Sequence, residues 1–405
     1  MAPVSLVSVD DVRAARALLE GVARVTPLEG SRALSDRVGG PVWLKCENLQ
    51  RAGSFKIRGA YVRIARLSDE ERSRGVVAAS AGNHAQGVAL AASLLGCSAT
   101  VFMPEAAPIP KVEATRAYGA EIRLGGATVD DALVRARRYG DETGAVLIHP
   151  FDHVDIIAGQ GTVGLEILEQ CPDVRTVVVG TGGGGLVSGV ACVMKDLKPD
   201  VVVVGAQASG AASFPPSLAA GTPLALPTMA TMADGIAVGR PGDVTFEHVR
   251  DLVDRVVTVD EDSLARALLL SLERAKLVVE PAGAASLAAV MESPAAFEPP
   301  VVCVLSGGNV DPLLLMKVVR HGLIAAGRFL SLRVRIPDRP GSLAKLLVVL
   351  GEAGANLLDV EHQRTGRTLH LEEVEVEMQV ETRGAEHSES VVRALTGEGY
   401  TVQPL

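Results

Sequence analysis

The chain has 405 residues, a length that suits two or three domains at about 150 residues each. Lys and Arg number 39 against 48 Asp and Glu, and the net charge of -9 excludes the basic footprint of a nucleic-acid binder. Hydrophobic residues make up 48% and charged residues 21%, which excludes disorder as the main state.

The first segment, MAPVSLVSVDDVRAARALLE, carries acidic residues and no apolar block, so neither a secretory signal nor a transit peptide is expected. From about residue 41 to 325, short Val/Ile-rich runs alternate with longer Ala/Leu-rich helical patterns. The strands predicted from those runs cover residues 41–47, 75–80, 99–104, 120–125, 145–150, 176–180, 201–207, 255–259 and 301–306. Runs apolar on nearly every residue mean strands buried on both faces. The fold class is therefore α/β, with open, mostly parallel twisted sheets and helices on both faces. A 19-residue uncharged stretch, Thr176 to Met194, reaches the length of a membrane span. Its central glycines break a spanning helix, so it reads as strand, loop and helix, and no membrane partner is expected. The cysteines Cys46, Cys97, Cys171, Cys192 and Cys303 form no CxxC pair. They read as reduced core residues of a cytoplasmic protein.

Near residue 328 the pattern changes. A strand over FLSLRVRI, a helix from Gly341 to Ala353, strands over LLDVEHQ and LHLEEVEVEMQV, a helix over AEHSESVVRALTGEGY and a final strand in TVQPL give the order βαββαβ. That is a small ferredoxin-like unit with its helices on one face of an antiparallel sheet. Alternating Val and Glu in EVEVEMQV reads as a strand with one wet face. The expected domains are residues 1–327 and 328–405.

Four segments sit where a strand meets a helix, which in open α/β sheets is where ligands bind. Ser54-Phe55-Lys56-Ile57-Arg58-Gly59 places Lys56 in the first turn of a helix, where the positive end of the dipole disfavours its charge. A depressed pKa is what a lysine needs for attack on a carbonyl. Ser80-Ala81-Gly82-Asn83-His84 closes one strand and opens a helix whose N–H groups suit a carboxylate. Gly180-Thr181-Gly182-Gly183-Gly184-Gly185 lets successive N–H groups converge on a phosphate. The same glycines fit G-x-G-x-x-G, so a dinucleotide site competes, although the following strand ends in Gln207 rather than in an acid. Leu305-Ser306-Gly307-Gly308-Asn309 offers a hydroxyl and close approach to a flat ligand. Together these are the parts that pyridoxal 5′-phosphate requires.

SFKIRGA, SAGNHAQG, TGGGGL, ADGIAV, EPAGA and LSGGN, in this order over about residues 20 to 325, resemble the threonine dehydratase branch of the tryptophan-synthase-β-like pyridoxal-phosphate enzymes. DRPGSLA and Gly354-Ala355-Asn356 in the tail resemble an ACT regulatory domain. The resemblance implies that Lys56 is the Schiff-base lysine and that Phe55 packs on the cofactor ring. It implies Asn83 at the ring 3-hydroxyl, Gly182, Gly183, Gly184 and Gly185 at the phosphate, Ser306 at the pyridine nitrogen and Glu280 near the cofactor. Ser80 and His84 belong to the loop that holds the substrate carboxylate. Ala81 stands where related racemases carry a second acid/base serine, which argues against racemisation. Gln207 to Ser213 lack the acidic residues of the racemases' divalent site, so no divalent metal is expected, while backbone carbonyls there leave a monovalent cation open. The implied reaction is β-elimination and deamination of L-threonine to 2-oxobutanoate and ammonia, with L-serine slower. An amino-acid effector such as isoleucine or valine is implied around Arg339, Pro340, Gly341, Ser342, Leu343 and Asn356, in a homodimer or homotetramer. A silent amino-acid sensor is the competing reading of the tail.

Overall fold

A computed structural model describes residues 5–364 and 372–405 of the chain. The chain divides into two compact units, Met1–Leu315 and Met316–Leu405.

The first unit holds two sheets. The larger has the strand order β1-β2-β10-β7-β8-β9, with β1 Leu28–Gly30, β2 Val42–Lys45, β7 Thr176–Gly180, β8 Val202–Ala208, β9 Arg255–Val259 and β10 Val301–Val304. It is parallel except where β1 runs against β2. The smaller, order β5-β4-β3-β6, is parallel throughout. Its strands are β3 Val76–Ala79, β4 Ala99–Met103, β5 Glu121–Leu124 and β6 Val146–Leu147. All nine expected strands are present. β6 is shorter than residues 145–150 because Pro150 has no N–H for a ladder. β1 had no signal, being three residues ending in glycine whose pairing is a tertiary matter.

Every residue of β3, β4, β7 and β10 is buried, as continuous apolar runs require. Val177, Val179, Val302 and Val304 pack with Val187 and Val190 of the helix Gly185–Leu197 in one core. Val76, Ala78, Val101 and Met103 pack with Ile57 and Val88 in another. Each such Val, Ile or Met side chain contributes about 1.5–3 kcal/mol of burial. The helix Asn83–Leu94 follows β3, and the chain then turns at Gly96 with φ +66°.

The helix Lys56–Ala65 crosses the helix Val154–Gln170 at backbone contact. A Cβ on Gly159 would lie 2.6 Å from Gly59 Cα, so only glycine allows that approach. Against this crossing lies a charged cluster that the sequence did not announce. Arg58 reaches Glu47 at 2.8 Å and Glu166 at 2.6 Å, and Lys45 reaches Glu166 at 2.6 Å. All four are buried. Burial pushes the Glu47 carboxyl up, but the Arg58 guanidinium with Thr26 and Lys45 outweighs it and holds Glu47 below its usual range.

The second unit is a four-stranded antiparallel sheet, order β12-β13-β11-β14. Its strands are β11 Phe329–Pro337, β12 Asn356–Gln363, β13 Glu373–Glu381 and β14 Thr401–Pro404. With the helices Ser342–Glu352 and Ala385–Gly397 the order is βαββαβ. Leu346, Leu350, Val391 and Leu395 from the helices meet Val334, Val376 and Met378 from the sheet in one core. The alternation in β13 is as read, with Val374, Val376, Met378 and Val380 buried and Glu375 and Glu377 paired to Arg335 and Arg333 on the other face. The start of the strand expected from Leu369 lies outside the described residues. Among the described residues no helix is long and apolar enough to cross a membrane, and all five cysteines are free and buried.

Candidate active site

The four expected segments converge at the strand ends of the first unit. Phe55 precedes the helix Lys56–Ala65 and its N–H donates to the Ser306 carbonyl at 3.2 Å, while Gly308 N–H donates to the Gly53 carbonyl at 2.9 Å. The lysine segment is thereby zipped to the loop after β10, with Ser54 bridged to Gly307. The Asn309 amide donates to the Ala52 carbonyl at 2.6 Å and to Asn83 Oδ1 at 2.8 Å. Asn83 Nδ2 in turn donates to Glu280 Oε1 at 2.5 Å, and Glu280 N–H donates to the Gly307 carbonyl at 3.0 Å. One N–H of the Asn83 amide is left for a ligand. Ser306 Oγ lies 3.9 Å from where a Cβ on Gly180 would stand, beside the glycine loop that follows β7.

Lys56 is the first residue of its helix. Its Nζ donates to the Pro150 carbonyl at 2.8 Å and stands 5.1 Å from the Phe55 ring centroid. Burial brings its pKa down to about 8, against an opposing pull from the Glu280 carboxylate. Where the sequence points to the helix dipole, the structure gives loss of water as the cause. Glu280 is only 5% exposed, not a solvated residue at a helix start. Burial first, and then the charge of Asp234, push its carboxyl up to about 7.

In the segment Ser80 to His84, Ser80 Oγ accepts the Gly82 N–H at 3.1 Å. The helix Asn83–Leu94 leaves its first N–H groups without intrahelical acceptors. The His84 ring is turned inward, with Nε2 at 2.8 Å from the Ile148 carbonyl and its pKa lowered by burial to about 3. What His84 offers a carboxylate is thus its backbone N–H, since a neutral ring already committed to a carbonyl contributes no charge.

The glycine loop answers whether a phosphate fits. The N–H groups of Gly182, Gly183 and Gly184 donate to no group among the described residues, although Gly183 and Gly184 are buried. Buried donors left unpaired call for a ligand. Gly184 has φ +97°, and its Cβ would lie 2.8 Å from the Phe214 ring, so no other residue fits there. A buried lysine with its pKa brought down to about 8, a free amide N–H and an unpaired cradle are the contacts that pyridoxal phosphate takes. Among the described residues no group of three or more His, Cys, Asp and Glu gathers as metal ligands do.

The residues expected to bind an effector belong to the second unit. Gly341, with φ +87°, precedes the helix Ser342–Glu352, and Asn356 opens β12. Arg339 is exposed and 3.5 Å from the Glu372 carboxylate.

Pro150, Asp152 and the ion pair between Lys111 and Asp234 have no recognised signal in the sequence, and Asn309, singled out there with Ser306, is given no role. The adjacency of His149, Pro150, Phe151 and Asp152 just after a strand was a signal that went unread.

The family model for pyridoxal-phosphate dependent enzymes matches residues 19–307, and the ACT domain model matches residues 330–398. An L-threonine ammonia-lyase of Thermotoga maritima is 46% identical over 98% of this chain and 99% of its own length. One from Geobacter sulfurreducens is 46% identical over the whole of both chains. The structure of maize serine racemase aligns with a TM-score of 0.74 at 40% identity, over 77% of this chain and 97% of the racemase.

Proposed function

The chain belongs to the pyridoxal-phosphate dependent enzymes, with an ACT domain after the catalytic part, and from that premise we propose that it is an L-threonine ammonia-lyase forming 2-oxobutanoate and ammonia. The dinucleotide reading of the glycine loop falls with the family. The observation that carries the proposal is the buried Lys56 amine, held 2.8 Å from the Pro150 carbonyl among loops that follow strands of both sheets. Likeness to two full-length ammonia-lyases supports the substrate.

Bound pyridoxal phosphate supplies an electron sink that makes the α-proton of an amino acid acidic. Lys56 Nζ, with a pKa near 8, serves as nucleophile and then as the base that takes this proton. The N–H groups of Asn83, His84 and Ala85, with Ser80, hold the substrate carboxylate at the helix start. Gly182, Gly183, Gly184 and Gly185 would hold the phosphate, Phe55 would pack on the ring, and Asn83 would bond its hydroxyl. Ser306 would present a neutral hydroxyl to the ring nitrogen, which favours elimination of the β-hydroxyl. Glu280 orients Asn83 through their 2.5 Å bond.

L-Serine is the slower substrate. The likeness to a racemase does not carry racemisation, because Ala81 has a methyl group where the opposite-face acid would stand. Residues 1–327 form the catalytic domain and 328–405 the regulatory one, where isoleucine or valine binds around Arg339 to Leu343 and Asn356. The enzyme is a cytoplasmic homodimer or homotetramer.

The test is 2-oxobutanoate formation from L-threonine by purified protein supplied with cofactor. Lys56→Ala should abolish turnover and Ala81→Ser should not. A Lys56→Ala variant with a near-normal rate overturns the assignment, and turnover of L-serine alone overturns the substrate.

A further inference from the structure

Residues His149 to Asp152 run between the lysine and the glycine loop, and the chemistry above uses none of their side chains. The Pro150 carbonyl holds Lys56 Nζ at 2.8 Å. The Phe151 ring fills the wall beside Gly183, and a Cβ on Gly185 would lie 3.0 Å from Phe151 Cβ. The Asp152 carboxylate accepts three backbone N–H groups, from Asp243 at 3.0 Å, Val244 at 2.8 Å and Thr245 at 3.0 Å. These open the helix Asp243–Leu252, where N–H groups have no intrahelical acceptors. A negative charge there also meets the positive end of the dipole. Thr245 Oγ1 then donates to the Gly183 carbonyl at 2.6 Å.

That last bond has a directional consequence. In a trans peptide the carbonyl of Gly183 and the N–H of Gly184 point in opposite directions. Pinning the carbonyl on Thr245 therefore turns the Gly184 N–H to the other side, where it has no protein acceptor among the described residues.

We propose that Asp152 is a positioning residue for the cofactor phosphate: by anchoring the helix start at Asp243 to Thr245, it fixes through Thr245 the peptide that aims the Gly184 N–H. The inference rests on the proposal that Gly182 to Gly185 hold the phosphate. Asp152→Asn keeps the size of the side chain but turns an NH2 group toward a backbone donor. Thr245→Val is near-isosteric and cuts the same link at its other end.

The dissociation constants of pyridoxal phosphate and of pyridoxal, which lacks the phosphate, are to be measured for wild type and both variants from the cofactor's visible absorbance. The expected result is a loss of about tenfold or more in affinity for pyridoxal phosphate, the size of one charge-assisted hydrogen bond, with pyridoxal affinity unchanged. A role confined to stability lowers the melting temperature and leaves the ratio of the two affinities as in wild type, which overturns the proposal. Wild-type protein that binds both ligands equally overturns the phosphate assignment itself, and Asp152's role with it.

Discussion

The Lys111 ammonium lies 2.7 Å from the Asp234 carboxylate, joining the helix Ile109–Ala117 beside the small sheet to the Asp234–Ile236 turn beside the large one. Both charges act on Glu280, Asp234 pushing its carboxyl up and Lys111 pulling it down. Asp234→Asn removes the first and leaves the second unopposed, so both changes lower the Glu280 pKa from about 7. An NMR titration of the Glu280 carboxyl checks this, and an unmoved midpoint shows that burial alone holds the group.

Glu280 also makes stability depend on pH. Its pKa stands near 7 in the fold against 4.5 for the free group, so between those values the native state binds the extra proton. Stability is then lost as pH rises through that window, and above pH 7 the cost is about 3 kcal/mol. Glu280→Gln carries no such cost. The variant apoprotein should be more stable than wild type at pH 8 by up to about 3 kcal/mol, with the gap closing near pH 4.5, as denaturant titrations would read. Equal stability at pH 8 counts against a buried, charged Glu280.

Lys56 titrates in the opposite sense for chemistry. With a pKa near 8 rather than 10.5, its neutral amine rises about tenfold per pH unit below 8 and then levels. The rate at which apoprotein takes up the cofactor should climb from pH 6 and flatten just above 8. A rate still climbing at pH 9.5 means that Lys56 keeps an ordinary pKa.

Legibility in the sequence followed physical range. Strands such as Val301–Val304 and Thr176–Gly180 were readable because burial on both faces leaves an unbroken apolar run. The place of Lys56 at a helix start was readable from the turn before it. The chain Asn309–Asn83–Glu280 was not, since Asn83 and Glu280 are 197 positions apart and nothing local pairs them. Lys45 and Glu47, flanking Cys46, fall in a strand read from its apolar run, and nothing local shows that Arg58 and Glu166 will meet them. A packed His84 is a reading the sequence allows, but the Ile148 carbonyl that holds its ring, on another strand end, was equally hidden.

That buried cluster predicts the largest single-site loss. Arg58→Met removes the cation between Glu47 and Glu166 and leaves two buried carboxylates with only Lys45 and Thr26 nearby. Breaking a buried pair costs about 3–5 kcal/mol, and Arg58→Lys restores only part because it lacks the planar fork. Chemical denaturation measures both variants, and a loss below about 1 kcal/mol would mean that water already screens the cluster.

The second unit offers a test of regulation that leaves the catalytic residues untouched. Gly341 adopts φ +87° immediately before the helix Ser342–Glu352, a conformation that side-chain-bearing residues resist. The Ser342 N–H already donates to the Arg339 carbonyl, so the N–H groups of Leu343 and Ala344 are the ones at that helix start that suit the carboxylate of an amino acid. Gly341→Val strains the turn and crowds that position, so isoleucine or valine should give heat on titration into wild type and none into the variant, while turnover without effector stays at the wild-type rate. A ligand alters turnover only by binding two states of the enzyme unequally, so heat without a change in rate makes the unit a binding module alone. No heat from either amino acid with wild type leaves residues 328–405 a purely structural part of the chain.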